Sequence, residues 1–499
     1  MKQLFTLLIL SCLLSCSAHP RVGGEVTAWL TTADRTHELE RTTFKTVPAE
    51  GTTSAVKVNP NAQLNEVDGF GFAISTATAW NLLQMTPEKR SSFLKGVFSR
   101  ESGIGSSLIR VAIGASDFCI RDEYTWCDKA GLENFAIHPE DKNYLFPILH
   151  EIYRINPEVK IIASPWSCPK WMKGCHSKTD DPAVMEETFD SWRSGRLKPS
   201  CYSIYAEYLV RWIETMEKEG FDIYAMTMQN EPLNHGNSIS MYMPWKDQTA
   251  FIKVLGPALR DAGLDTKILL YDHNYNYDRK EDQIGYVNHV YEDLEARKWA
   301  AGSAWHNYGG KVEELDNVIG RFPDKEIYFT ESSIGKWNYD DGSVVGGKFG
   351  KCLLNDFNGI FFGTLRRGGR GVTYWNLMLD ENNMPHNRHE GACDKCYGGV
   401  TISSKDYSTI TGNSQWFDAA HASLVIQPGA CRIDTSSTRQ NGVDFLLFRN
   451  PDDTIGAILL NKTDKAGEVA FSYNGAEIRY TVPAASIASL SWSLEQDRR

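Results

Sequence analysis

Two glutamates stand where acid–base chemistry on a neutral substrate would need them. Glu231 closes the run Met228-Gln229-Asn230-Glu231-Pro232, and Glu331 closes Phe329-Thr330-Glu331-Ser332. Each follows a strand-like apolar run. On a barrel of parallel strands, a side chain at that end projects into the mouth. One carboxyl that protonates a leaving oxygen, with a second that attacks or activates water, is what hydrolysis of a glycosidic bond requires. A separation of about 5 Å would make the reaction retaining. A lone glutamate at a strand end is often a surface salt-bridge partner. Two at matching ends, one directly preceded by Asn230, fit that reading poorly.

The elements that must position them alternate. Between Asp68 and Trp375, strand-like runs occur at Asp68–Ile74, Ser107–Ile113, Val159–Ser164, Ile223–Asn230, Lys267–Asp272, Gly302–His306, Glu326–Glu331 and Gly371–Asn376. Near-continuous apolar character suits parallel strands covered on both faces. Amphipathic stretches lie between them. Thr86-Pro87 reads as a cap and first turn leading into Glu88–Arg100. Ile204–Lys218 places Tyr205, Tyr208, Leu209, Trp212 and Met216 near helical spacing, and Asp356–Arg367 leads into the eighth run. Eight such alternations predict an α/β fold, a (β/α)8 barrel over residues 66–425. A doubly wound open sheet is the alternative, and no GxGxxG follows the first strand to support it. Glutamates closing the fourth and seventh strands would face each other across the barrel mouth.

The flanks are richer in Thr, Ser and Val. Runs such as Asp444–Phe448 and Ile455–Leu460 are punctuated by the turn Asn450-Pro451-Asp452-Asp453. They predict a side β-sandwich over residues 426–497, completed by one or two strands from residues 25–60. The first 16 residues read as a targeting segment. Met1-Lys2 is followed by an apolar run too short to span a membrane, and Ser15-Cys16 resembles a lipoprotein cleavage site. An ordinary secretory signal is the alternative. Either predicts export to the bacterial periplasm or cell surface, with membrane contact only through a lipid on Cys16.

The chain of 499 residues has 42% hydrophobic residues and a formal net charge of −11. That charge argues against nucleic acid or an anionic membrane as partner. With 14 Trp and 21 Tyr, a surplus of rings is available to lie against sugar faces once the core is filled. Among 11 cysteines, Cys119/Cys127, Cys168/Cys175 and Cys393/Cys396 are near enough in sequence to suggest loop staples. No HExxH, paired CxxC or compact His/Asp set is present, so no metal or cofactor is expected. A monomer acting on a glycan is the expectation.

Several separated motifs give the chain a family likeness. They are Asp68-Gly69-Phe70-Gly71, the block Ser164-Pro165-Trp166-Ser167-Cys168-Pro169-Lys170-Trp171-Met172-Lys173, Gln229-Asn230-Glu231-Pro232, Trp305-His306-Asn307-Tyr308 and Trp375-Asn376-Leu377. With them the sequence resembles glycoside hydrolase family 30, which holds lysosomal glucosylceramidase and the β-1,6-glucanases. The resemblance implies Glu231 as acid/base and Glu331 as nucleophile. It implies Asn230 on the sugar 2-OH, Arg110 beside the nucleophile, and Asp117 gripping sugar hydroxyls. Trp166 and Trp375 would be subsite walls, with His306 and Tyr308 as polar neighbours of the nucleophile. Each has a plainer alternative, namely a structural ion pair for Arg110, core for the tryptophans, a satisfied interior histidine for His306, rim packing for Tyr308 and a loop cap for Asp117.

Asp272-His273-Asn274 is similar to the β-1,6-glucanase branch, and the pair His273-Asn274 is expected to meet a second glucose unit, with an ordinary polar loop as the alternative. The long polar segment Asp380–Tyr397 departs from the family pattern and should overhang the cleft. The reading is a retaining endo-β-1,6-glucanase. The alternatives are an exo-acting β-glucosidase, glucosylceramidase or β-xylosidase of the same family, and a non-catalytic glycan-binding lipoprotein.

Overall fold

A computed structural model of the chain describes residues 24–49, 54–175, 181–275, 283–338 and 348–494. The N-terminal apolar run and Cys16 lie outside the described residues. Eight parallel strands form one sheet: Gly69–Phe72, Leu108–Ala112, Lys160–Ser164, Ala225–Thr227, Lys267–Asn274, Ala300–His306, Glu326–Glu331 and Gly371–Tyr374. The first pairs with the eighth, each later strand pairs with the next, and a parallel bridge from Ala73 to Arg110 closes the ring. The Asp-Gly-Phe-Gly motif has a steric reason at this closure. A Cβ on Gly69 would lie 2.0 Å from Ser107 Oγ, and one on Gly71 would lie 2.1 Å from the Leu108 carbonyl.

The barrel interior is layered by the two-residue period of its strands. At its N-terminal end, buried Asp68 accepts from Arg370 Nε at 2.8 Å, Tyr328 Oη at 2.5 Å and Tyr224 Oη at 3.0 Å, and also from Lys160. Above it Leu108, Ile162, Ala225, Leu269, Ala304 and Tyr328 pack as an apolar plug. Two residues further along five of those strands stand Arg110, Ser164, Thr227, His306 and Thr330, all buried. Period 2 therefore carries the interior from apolar to polar in one step.

The helices follow their sequence signals with one exception. Thr86 caps Pro87–Phe98 by accepting from Lys89 N–H, with Pro87 in the first turn. Tyr202–Lys218 buries Tyr205, Tyr208, Leu209, Trp212 and Met216. The helix expected over Asp356–Arg367 is instead a π-helical stretch, Phe357–Phe362, between α-helical Phe349–Asp356 and Gly363–Arg366. The wider π turn puts the consecutive Phe361 and Phe362 both in the core.

The sandwich draws more on the N-terminal segment than expected. Glu25–Thr32 and Glu40–Lys45 join the larger sheet, and Val47–Pro48 and Val56–Lys57 edge the four-stranded one. Gln63–Glu66, outside the expected range, pairs with Cys431–Ile433. The turn at Asn450–Asp453 links Val443–Arg449 to Thr454–Asn461, with Asp453 at φ 61°. The domains share a close seam, where Gly456 brings a strand so near that a Cβ would lie 1.9 Å from the Val425 carbonyl. The cysteine staples are not formed. Cys119, Cys127, Cys168, Cys393 and Cys396 are thiols, with Cys119, Cys127 and Cys168 packed into the apolar core.

Candidate active site

The polar layer at the barrel mouth is organised by Asp272, fully buried at the end of the fifth strand. Its Oδ2 accepts from Arg110 Nη2 at 2.8 Å, Ser164 Oγ at 2.6 Å and Thr227 Oγ1 at 2.7 Å. Oδ1 accepts from Thr330 Oγ1 at 2.7 Å and meets His306 Nε2 at 3.0 Å. Tyr271 and Asp272 both adopt positive φ, 72° and 68°, and the register with the sixth strand shifts there. That local distortion turns Asp272 into the barrel axis. Burial opposes its charge, but Arg110, His306 and Ser164 hold its carboxyl well below the ordinary carboxylate range.

Arg110 spans this anchor and the nucleophile candidate. Its Nη1 donates to Glu331 Oε2 at 2.5 Å and its Nη2 to Asn230 Oδ1 at 2.7 Å. Tyr308 Oη donates to Glu331 Oε1 at 3.2 Å. The guanidinium carbon lies 4.9 Å from the Trp166 ring centre and 5.6 Å from that of Trp375. Those two rings stack, with centres 5.0 Å apart. Both tryptophans are therefore buried and packed against the Arg110 guanidinium.

Glu231 reaches the same cluster from the other side. The fourth strand ends at Thr227, earlier than expected, because the chain leaves the ladder. Asn230 N–H donates to the Pro165 carbonyl at 2.7 Å and Glu231 N–H to the Asp272 carbonyl at 2.9 Å, with Glu231 at φ 45°. Its Oε2 accepts from Asn234 Nδ2 at 2.7 Å, and its Oε1 lies 3.4 Å from His306 Nδ1 and 3.6 Å from His273 Nδ1.

The charges are interdependent. Burial pushes Glu231 up, but hydrogen bonds and charge from His273 and His306 outweigh it and hold the carboxyl below its usual range. Burial also pushes Glu331 up, a rise that His306 and Arg110 offset only in part while Glu231 and Asp272 add to it. Burial disfavours a cationic His306, yet the charge of Glu331 and the contacts to Asp272 and Glu231 lift it to about 9. His306 is thus a cation between two carboxylates.

The remaining expected residues fall into place unevenly. Asp117 is buried, and its Oδ1 has no partner among the described residues, which leaves an acceptor for a hydroxyl. Burial, then the fields of Cys393, Glu331 and Glu231, raise it well above the ordinary range. Tyr308 sits at the open rim, 39% exposed. His273 is a correction. It is fully buried behind Glu231 rather than set out toward a second sugar, because the shifted register at Tyr271–His273 rotates it inward. Asn274 instead shapes the rim, accepting from Tyr308 N–H at 2.9 Å. Two residues were missed: Asp272, read only as a branch marker, and Asn234, three places beyond Glu231. The segment Asp380–Tyr397 packs beside Asp117 and the residues that follow Glu331. Asn387 N–H donates to the Asp117 carbonyl at 2.8 Å, and Cys396 bridges Gly335 beyond the nucleophile.

Residues 67–392 match the glycosyl hydrolase family 30 TIM-barrel domain, and residues 429–490 match the beta sandwich domain of the same family. An endo-1,6-beta-D-glucanase of Neurospora crassa is 27% identical, over 85% of this chain and 87% of its own length. The lysosomal acid glucosylceramidase of Mus musculus is 25% identical, over 89% and 84%. A solved endo-beta1,6-glucanase, BT3312, is 44% identical with a TM-score of 0.87, covering 94% of this chain and 99% of that one. With both domains matched and two glutamates meeting at the mouth of the barrel, the chain belongs to glycoside hydrolase family 30 and is a glycoside hydrolase.

Proposed function

We propose that this enzyme cuts internal β-1,6-glucosidic linkages of β-glucan with retention of configuration. The observation that carries the reading is the pair Glu231 and Glu331 converging on one buried Arg110–Asp272–His306 cluster, in a chain 44% identical to an endo-β1,6-glucanase. Glu331, oriented by Arg110 and Tyr308, attacks the anomeric carbon and forms a glycosyl-enzyme ester. Glu231 gives the leaving oxygen its proton. Because His273 and His306 hold Glu231 ionised, the proton it delivers comes from cationic His306, 3.4 Å away, and passes through Glu231 to the leaving oxygen. In the second step Glu231 takes a proton from water, which displaces Glu331. Asn230, oriented by Arg110, is set to bond the sugar 2-OH, and Trp166 and Trp375 supply the ring surface. The apolar N-terminal run supports export with a lipid on Cys16, which mass spectrometry of the mature N-terminus would test.

Linear β-1,6-glucan incubated with the purified enzyme should release gentiobiose and longer oligosaccharides early. The products should form first as the β-anomer by NMR. Glucose alone would favour an exo-acting glucosidase, the reading that the glucosylceramidase relatives support, and glucosylceramide and aryl β-glucosides would be tried next. Glu331→Gln should abolish turnover while glycan binding persists, and surviving turnover would overturn the nucleophile assignment.

A further inference from the structure

The residues around Glu231 have a second chemical capacity. Glu231, His273 and His306 come from the ends of three successive barrel strands, 42 and 33 positions apart in sequence. Their carboxylate oxygen and two ring nitrogens all lie within 4.8 Å of one another. Glu231 Oε1 is 3.4 Å from His306 Nδ1 and 3.6 Å from His273 Nδ1. A tetrahedral zinc ion with bonds of ~2.0–2.1 Å holds its donors ~3.4 Å apart.

We propose that Glu231, His273 and His306 form a binding site for a divalent transition metal of the zinc and copper class, and that an ion held there inhibits the enzyme. Two nitrogens and one carboxylate oxygen suit those ions. Magnesium and calcium demand six or more oxygen ligands and do not fit. The supports that orient metal ligands are already built. His306 presents Nε2 to Asp272 Oδ1 at 3.0 Å, the carboxylate–histidine arrangement that leaves Nδ1 facing the ion. Asn234 holds Glu231 Oε2 at 2.7 Å, which leaves Oε1 for coordination. All three ligands are buried, and three protein ligands leave a fourth position for water. The ion takes the place of the proton on His306 Nδ1 and ties up Glu231 as a ligand. Inhibition rests on the acid/base reading of Glu231. Binding does not.

The test uses the full chain with Zn2+ by calorimetry and Co2+ by absorption spectroscopy. The thiols are the competing ligands, so a Cys393→Ser/Cys396→Ser variant is run beside His273→Ala and His273→Gln, with melting curves on each. One equivalent should bind, with cobalt d–d bands and no thiolate charge-transfer band. Both His273 variants should lose at least roughly tenfold in affinity while still folded, and the cysteine variant should bind as before. Hydrolysis should fall with occupancy and return with a chelator. Absence of binding, binding unchanged in both His273 variants, or binding lost in the cysteine variant would each overturn the site. Histidine-dependent binding that leaves hydrolysis untouched would overturn the inhibitory half. Histidine-dependent binding in an enzyme inactive on β-1,6-glucan would leave the site standing and remove only the substrate assignment.

Discussion

Asp272 touches no reacting atom in the proposed chemistry, yet it aligns Arg110, and through Arg110 both Glu331 and Asn230, and it fixes His306 against Glu231. Asp272→Asn keeps the shape but removes the charge those cations oppose. We expect kcat to drop by roughly 100-fold, the scale of a displacement of about 1 Å in a reacting group, with the fold intact by circular dichroism. His306 makes a pH prediction. Its proton is held to about 9, so kcat/KM should fall on the alkaline side as pH rises through that value. A His306→Gln variant whose profile still breaks there would remove His306 from the proton inventory. Glu231, Glu331, Arg110 and Asn230 were legible as types at strand ends or by likeness. The role of Asp272 was not, because two positive-φ residues in a row leave no mark in composition or period.

At the scale of elements, the barrel floor holds the strands that hold the site. Asp68 gathers Lys160 and Tyr328 from the third and seventh strands, and Tyr224 and Arg370 from the entries to the fourth and eighth. Burial pushes its carboxyl up, but Arg370, Lys160 and Tyr328 hold it far below the ordinary range. A lowered carboxylate contributes stability above its unfolded value of about 4 and loses that contribution as pH falls further. Asp68→Asn should cost on the order of 3 kcal/mol at neutral pH, read by denaturant unfolding, and the cost should shrink in acid. All eight strands were visible in the sequence as apolar runs, but their ends were not. The fourth strand stops at Thr227 because tertiary bonds to Pro165 and Asp272 win over the ladder, and no local propensity encodes that. The π-helical stretch Phe357–Phe362 was hidden for a similar reason, since its aromatic residues fit an α-helix equally well until the core around them is known.

For the whole molecule, the seam between barrel and sandwich is closed by His421, buried on the helix Ser414–Val425. It bonds Ser489 Oγ and Thr31 Oγ1, each at 2.9 Å, from two sandwich strands. Burial pushes its pKa down to about 3, so the folded seam holds it neutral. The unfolded chain binds that proton near 6.5, and stability must therefore fall as pH drops from about 6.5 toward 3. Thermal unfolding should shift to lower temperature between pH 7 and 5, and His421→Gln should flatten that slope. An unchanged slope in the variant would place the acid sensitivity elsewhere. A sandwich was legible from β-branched runs and turns at both flanks. The number of N-terminal strands in it was not, because strands as short as Val47–Pro48 and Val56–Lys57 carry no period.

The pairing of Glu25–Thr32 with Ser486–Ser493 joins the two ends of the described chain, and the first barrel strand waits in the same way for the eighth, some 300 residues later. During synthesis neither domain can close until its last strand has been made. At about 5–20 residues per second, the earliest segments spend tens of seconds with their partners not yet in existence. Such long-range closure is slow even for a finished chain. A nascent chain so delayed is a natural client for holding factors that cover its unpaired strand edges until the last strand arrives.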